Sequence, residues 1–187
     1  MVQLVTPRQT PRLTLRRFEL DDLDDLALIF ASADVNRYLY SEPRDRDETA
    51  AVLTRRLELP DEVEVDNLMN VGVVLKSTER VIGDFMIRWS TNEHQQGEIG
   101  GSLHPDFHFQ GYAREIYEVL LTIGFTEFGL HRIFARCDAR NAASVRSLAK
   151  VGLHQEAHLV ENEFVKGEWT DEIVMAIRKS EWEPRAL

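Results

Sequence analysis

"HFQGYAREIYEVLLTIGFTEF", residues 108–128, changes character after its first third. From Ala113 onward the apolar residues Ala113, Ile116, Tyr117, Leu120, Leu121, Gly124, Phe125 and Phe128 return at three- and four-residue steps, the stripe of an amphipathic helix that buries one face. Ahead of it, Gly111 and Ala113 leave almost no side chain where the first helical N–H groups lack intrahelical partners. Amides reached through a glycine make an anion site, most often for phosphate, although a glycine in that place is also an ordinary turn residue. Neither the Walker lysine pattern nor G-x-G-x-x-G is present, so nucleoside triphosphate and dinucleotide binding have no support.

Outward from this helix the chain alternates between the two periodicities. "PRLTLRRF" (11–18) reads as a first strand, followed by a helix carrying Leu23, Leu26, Ala27 and Phe30. A second helix is expected from about Asp47 to Leu59, closed by Pro60. Residues 70–76 and 80–90 are β-rich and form a hairpin, and a further strand follows at 97–104. Beyond the long helix come a strand at 131–139 and a helix at 141–152, with Asn141 as N-cap and Gly152 as its stop. Two final strands are joined at "KGEW" (166–169). The order predicts one α+β (mixed α/β) domain over residues 1–187, with a central sheet and the long helix as crossover between two strands. A ligand is expected at that helix's N-terminus.

The net charge of −10 disfavours nucleic acid, which needs a basic surface, and favours cationic or amine partners. Two acidic stretches contribute. The carboxylates of 18–26 suit the first turn of a helix, whereas 60–66 reads as a solvated loop open to attracting a positive substrate. No apolar run approaches the roughly 20 residues of a membrane span, and the first residues lack the apolar core of a signal peptide, so a cytoplasmic protein is expected. The lone Cys137 forms no internal disulfide, and no Cys or His spacing suits a metal.

Residues 97–154, about a third of the chain, resemble the core of the GNAT acetyltransferases, in particular the RimJ/RimL-type branch that acetylates N-termini of ribosomal proteins. The matching positions are Glu98, Ile99, Gly100, Leu103 and Pro105, then Gly111, Tyr112, Ala113 and Glu115. They continue as Arg132, Ile133, Ala135, Asn141, Ser144, Lys150 and Gly152. The first strand and helix and the last hairpin are similar to that branch as well. The chain departs from the pattern at His108 and at Phe109 and Gln110, which precede the loop glycine, and at Leu153, where Phe is common. The resemblance implies a mostly antiparallel twisted sheet of about seven strands flanked by about four helices, with a splayed strand pair holding acetyl-CoA and no metal.

It further implies direct acetyl transfer to a primary amine, either a protein N-terminus or a small molecule. The pyrophosphate then lies on the loop formed by His108, Phe109, Gln110, Gly111, Tyr112, Ala113 and Arg114. The pantetheine runs along Ile99, Gly100, Gly101, Ser102 and Leu103 and bonds Asn141. Much of the superfamily protonates the leaving thiolate with a tyrosine where this chain has Leu148, so Ser144 is the candidate here. Glu98 is the first candidate for the base, with Asp171 second and Glu168 third. By residue pattern alone, Ser144 serves equally to satisfy its helical turn, and Glu98 is an ordinary strand carboxylate. His104 and His108 have suitable intrinsic basicity. Trp89 and Trp169 are candidates for an acceptor groove, an interface or the core. A homodimer and a monomer are both compatible with these features. The competing reading is a non-catalytic CoA or acyl-CoA-binding module of the same fold.

Overall fold

Leu13 and Leu15, Val71 and Val73, and Ile133 and Ala135 are buried at every second position, and such period-two runs pair into one sheet. The structure is a computed structural model and describes residues 2–3, 7–59, 62–63, 68–91 and 93–184. In chain order the strands are β1 (Val2–Gln3), β2 (Arg8–Gln9), β3 (Leu13–Arg16), β4 (Glu62–Val63) and β5 (Leu68–Leu75). They continue with β6 (Arg80–Thr91), β7 (Gln96–Leu103), β8 (Arg132–Asp138), β9 (His154–Val165) and β10 (Glu168–Arg178). The helices are α1 (Leu23–Ala31), α2 (Ala33–Asn36), α3 (Arg46–Leu57), α4 (Tyr112–Thr122) and α5 (Ala142–Lys150).

Strands β1 and β4 form a small separate ladder, and the remaining eight pair in the order β2-β3-β5-β6-β7-β8-β10-β9. All neighbours in that sheet are antiparallel except β7 and β8, which α4 connects as a parallel crossover. Their register covers only Gln96↔Arg132, Gly97↔Ile133 and Glu98↔Phe134. Beyond Glu98, β7 follows β6 to Leu103 while β8 follows β10 to Asp138, so the sheet opens into a wedge. Gly101 sits on the β7 side of it with φ +154°, and a Cβ there would stand 2.5 Å from the Asp84 carbonyl. Glycine is what allows β7 to lie that close on β6.

The apolar stripe of α4, with Ile116, Leu120 and Leu121, packs with Leu148 of α5 on one sheet face. Leu26, Ile29 and Phe30 of α1 and Leu53 of α3 cover Val74 and Val81 on the other. The expected elements are all found, with sharper ends. The Asp45 carboxylate starts α3 by accepting the Glu48 amide at 2.8 Å. The long helix is α-helical only to Thr122 and widens into a π-turn over Ile123–Glu127, where the Phe128 amide bonds the Ile123 carbonyl. Among the described residues the main sheet has eight strands rather than about seven, and there are five α-helices rather than about four. The additions, β2 and α2, are too short to show a period; α2 is held by the Ser32 cap and by Asn36 bonds to the Phe30 and Ser32 carbonyls. The acidic stretch 60–66 falls outside the described residues except for the backbone of Glu62–Val63. In 18–26, Asp24 and Asp25 lie in the first turn of α1, and Asp25 also accepts the Val81 amide. Trp89 is buried and stacked on Phe128 at 5.7 Å, so it belongs to the core and not to an acceptor groove.

Candidate active site

Because β7 and β8 run parallel, the chain leaves both at the same end of the sheet, and both α4 and α5 begin there, beside the open wedge. From Ile99 to Leu103, β7 has no strand on its β8 side, which leaves backbone donors and acceptors along that edge. The Ile99 and Leu103 side chains are buried in the core, so only their backbones are available; Glu98, Gly100 and Ser102 alternate onto the other face.

The loop from β7 to α4 is tied down locally. His108 Nε2 donates to the Leu103 carbonyl at 2.9 Å and the Gln110 amide to the Asp106 carbonyl at 2.8 Å. His104 is engaged in the same loop, its Nδ1 accepting the Asp106 amide. Phe109 is 90% exposed with φ +60°, and Gly111 has φ +84°, so two left-handed residues turn the chain into α4. No side chain caps this helix. Its first amides therefore face outward unpartnered, with the positive end of the helix dipole behind them. Tyr112 and Ala113 pack toward the core, and Arg114 lies 4.0 Å from Glu118. An extended thioester carrying a pyrophosphate matches this pair of features: an uncapped helix start for the anion and an unpaired strand edge for an amide-bearing arm.

At the start of α5, the Asn141 side chain accepts the Ser144 amide at 3.1 Å, the N-cap expected from sequence. Ser144 lies in the first turn beside Cys137. Burial pushes the Cys137 thiol up, and the hydrogen bond from Ser144 offsets this only in part. The thiol is thus a protonated, half-buried neighbour rather than a nucleophile.

On the opposite face of the wedge, Arg136 of β8 reaches across to β7, its Nε donating to Glu98 Oε1 at 3.0 Å. The same guanidinium lies 3.8 Å from Glu172 of β10. Glu172 is only 2% exposed and accepts the Tyr40 hydroxyl at 2.7 Å and the Asn162 amide at 3.1 Å. Burial, followed by the Glu172 hydrogen bond, pushes the Tyr40 phenol up, so it stays protonated. Two carboxylates share one guanidinium, so these three side chains together carry one net negative charge. A groove beside it runs between the Tyr38–Tyr40 segment and the β9–β10 hairpin; its wall is mixed, with Glu163, Glu168 and Asp171 set among Arg37, Arg140 and Lys166.

Asp171 accepts the Glu161 amide at 2.9 Å and His158 Nε2 at 2.7 Å, and these two bonds, the amide first, hold its carboxyl below the usual range. Glu168 is paired with Arg140 at 2.8 Å. Asp171 is thus less ready to take a proton than an ordinary carboxylate. Trp169 is 61% exposed against Phe164. Sequence reading passed over Tyr40, Arg136, Asn162 and Glu172. One signal was available: period two places Glu172 on the face of the buried Thr170 and Ala176, a carboxylate in an otherwise covered row.

A family model described as an acetyltransferase (GNAT) domain matches residues 12–154. An uncharacterized N-acetyltransferase of Bacillus subtilis (strain 168), YnaD, is 29% identical over 173 residues, covering 92% of this chain and 97% of that protein. A GNAT-family acetyltransferase structure from Bacillus anthracis superposes with a TM-score of 0.80 at 26% identity, covering 97% of this chain and 100% of that one. The structure of a Vibrio cholerae spermidine N-acetyltransferase in complex with CoA and spermine gives a TM-score of 0.76 at 25% identity, covering 92% and 98%.

Proposed function

Since the chain belongs to the acetyltransferase (GNAT) family and is an acetyl-CoA-dependent N-acetyltransferase, we propose that it acts as a single domain transferring acetyl directly to a positively charged primary amine. The observation that carries this reading is the wedge between β7 and β8. One side of it meets the uncapped start of α4, and the other opens on the net-negative face of Glu98, Arg136 and Glu172.

Acetyl-CoA supplies the acyl group as a thioester with a good leaving group. The amides from Gln110 to Arg114 hold its pyrophosphate, the free edge of β7 from Ile99 to Leu103 pairs with its pantetheine amides, and Asn141 adds a side-chain bond. Glu98, at the mouth of the wedge, accepts the proton lost by the incoming ammonium, directly or through water. The freed nitrogen bonds to the acyl carbon as the carbon–sulfur bond breaks, while a β7 amide donates to the developing oxyanion. Ser144 donates a hydrogen bond to the leaving sulfur, and the second proton shed by the nitrogen as the amide forms passes to that thiolate, releasing CoA as the thiol. The lowered carboxyl of Asp171 makes it a weaker base than Glu98's position requires.

The acidic face suits a polyamine-like acceptor, and the RimJ/RimL-type sequence pattern suits a protein N-terminus flanked by basic residues. Thiol release from acetyl-CoA, measured with spermidine, a basic N-terminal peptide and a neutral amine, separates them. We expect turnover with the cationic amines, lowered about 100-fold or more in Glu98→Gln and to a lesser extent in Ser144→Ala. CoA binding without thiol release on any amine refutes transfer and leaves a binding module; undiminished turnover in Glu98→Gln refutes the base. A cytoplasmic location accords with acetyl-CoA use and a free Cys137. The exposed Val160, Phe164 and Trp169 on the β9–β10 hairpin support a homodimer, which sedimentation of the purified chain tests.

A further inference from the structure

The turn that enters α4 needs an outside constraint. Phe109 is a bulky residue in the left-handed region, a conformation unfavourable for L-residues because Cβ crowds the following carbonyl oxygen. It is also 90% exposed, and its ring meets only the edge of its chain neighbour His108, at 6.0 Å between ring centres, among the described ring contacts. Among the described contacts, one side chain from far away in sequence grips the turn. Arg12, just ahead of β3, donates from Nη1 to the Gln110 carbonyl at 2.9 Å and from Nε to Glu115. Its guanidinium carbon lies 4.2 Å over the Tyr112 ring, and its Nη2 is 3.4 Å from where a Gly111 Cβ would stand. Glu115 is held in turn by the Thr10 hydroxyl at 2.6 Å.

We infer that Arg12 is a positioning residue for acetyl-CoA: by pinning the Gln110 carbonyl it fixes the orientation of the Gly111 amide at the start of α4. The inference rests on the reading of that helix start as the pyrophosphate site. The peptide bond is planar and trans, so its C=O and N–H point in opposite directions. With the Gln110 oxygen drawn to Arg12, the Gly111 N–H is turned away from Arg12 and outward over the helix start. Without that bond the Gln110–Gly111 peptide is free to rotate, and a rotated peptide presents a carbonyl where the anion needs a donor. The Arg12 charge is already matched by Glu115, so its contribution is orientation more than attraction. Lysine is no substitute, because an ammonium lacks the planar fork that reaches Gln110 and Glu115 while lying flat on Tyr112.

The test is titration calorimetry of CoA binding to the full chain at 25 °C, for wild type, Arg12→Ala, Arg12→Lys and Arg8→Ala. Arg8 is the control, since its ion pair with Glu127 at 2.5 Å also ties the N-terminal segment to the helical layer without touching the turn. We expect CoA to bind Arg12→Ala at least tenfold more weakly, with Arg12→Lys several-fold weaker and Arg8→Ala unchanged. Arg12→Lys keeps the charge and answers the question should Arg12→Ala fail to fold. Arg12 variants within twofold of wild type overturn the inference, and so does an equal loss in Arg8→Ala, which would mean general loosening. Failure of the wild-type chain to bind CoA removes the pyrophosphate assignment and the role of Arg12 together, an outcome distinct from the other two.

Discussion

Replacing Arg56 by Met breaks a bidentate ion pair in which Nη1 and Nη2 donate to the two Asp84 oxygens at 2.7 and 2.9 Å. Both side chains are largely buried, at 15% and 13% exposure, and Asp84 lies on β6 opposite Ser102 of β7. The Arg56 guanidinium carbon also lies 5.0 Å over the Phe18 ring and 5.5 Å over the Phe30 ring, so methionine, of similar length, loses these two cation–π contacts together with the pairing. Stranding one partner of such a pair costs about 3–5 kcal/mol. At about 2–4 °C per kcal/mol for a domain of this size, the unfolding midpoint falls by about 6–20 °C. The pH dependence gives a sharper test. Burial pushes the Asp84 carboxyl up more than Arg56 draws it down. A raised carboxyl means that the native state binds the proton more tightly than the unfolded state, so this group's contribution to stability falls as pH rises. Without Arg56 the carboxyl rises further, and the cost of the substitution is therefore larger at pH 8 than near pH 4. Urea unfolding at both pH values measures it, with Arg56→Met/Asp84→Leu as the double variant that removes the orphaned charge. A loss below 1 kcal/mol, a cost independent of pH, or strict additivity in the double variant would refute the reasoning.

Three further outcomes follow from the site. Glu172→Gln removes the net negative charge of the Glu98, Arg136 and Glu172 group, and the KM for a cationic acceptor should rise at least about tenfold, the equivalent of roughly 1.4 kcal/mol, while the KM for acetyl-CoA stays unchanged; steady-state kinetics with both substrates varied decides it. Gly111→Ala forces a Cβ into φ +84° and toward Arg12, so urea unfolding should show a loss of about 1–2 kcal/mol and calorimetry a weaker CoA complex. Asp171 should titrate by carbon-detected NMR below the usual carboxylate range, and His158→Phe should restore only part of the shift, because the Glu161 amide is the larger cause. Its stabilising contribution is present above the ordinary carboxylate pKa and is lost as pH falls through the lowered native value.

The helices and strands were legible because their causes are local. A three-to-four-residue stripe marks α4, alternation marks β3, runs rich in β-formers mark β5 and β6, and Asn141 is the N-cap its position announced. The glycine ahead of α4 was legible as a bare helix start or turn residue, whereas its left-handed conformation and that of Phe109 emerge only in the structure. Glu98 was legible as a strand carboxylate, but its partner Arg136 was not. The pairing with Arg136 depends on how β7 and β8 lean apart, which no stretch of either strand encodes.

What the sequence determined by itself was the set of elements, their order and the resemblance that pointed to acetyl transfer, all carried by residues within one element or loop of each other. What only the tertiary structure decided was the company of each functional group. Tyr40 meets Glu172, and Arg12 meets Gln110, across separations of 132 and 98 residues. Such contacts arise because burying two apolar faces on one sheet fixes the elements against each other, and the polar side chains at their margins then pair with whatever that packing brings within reach.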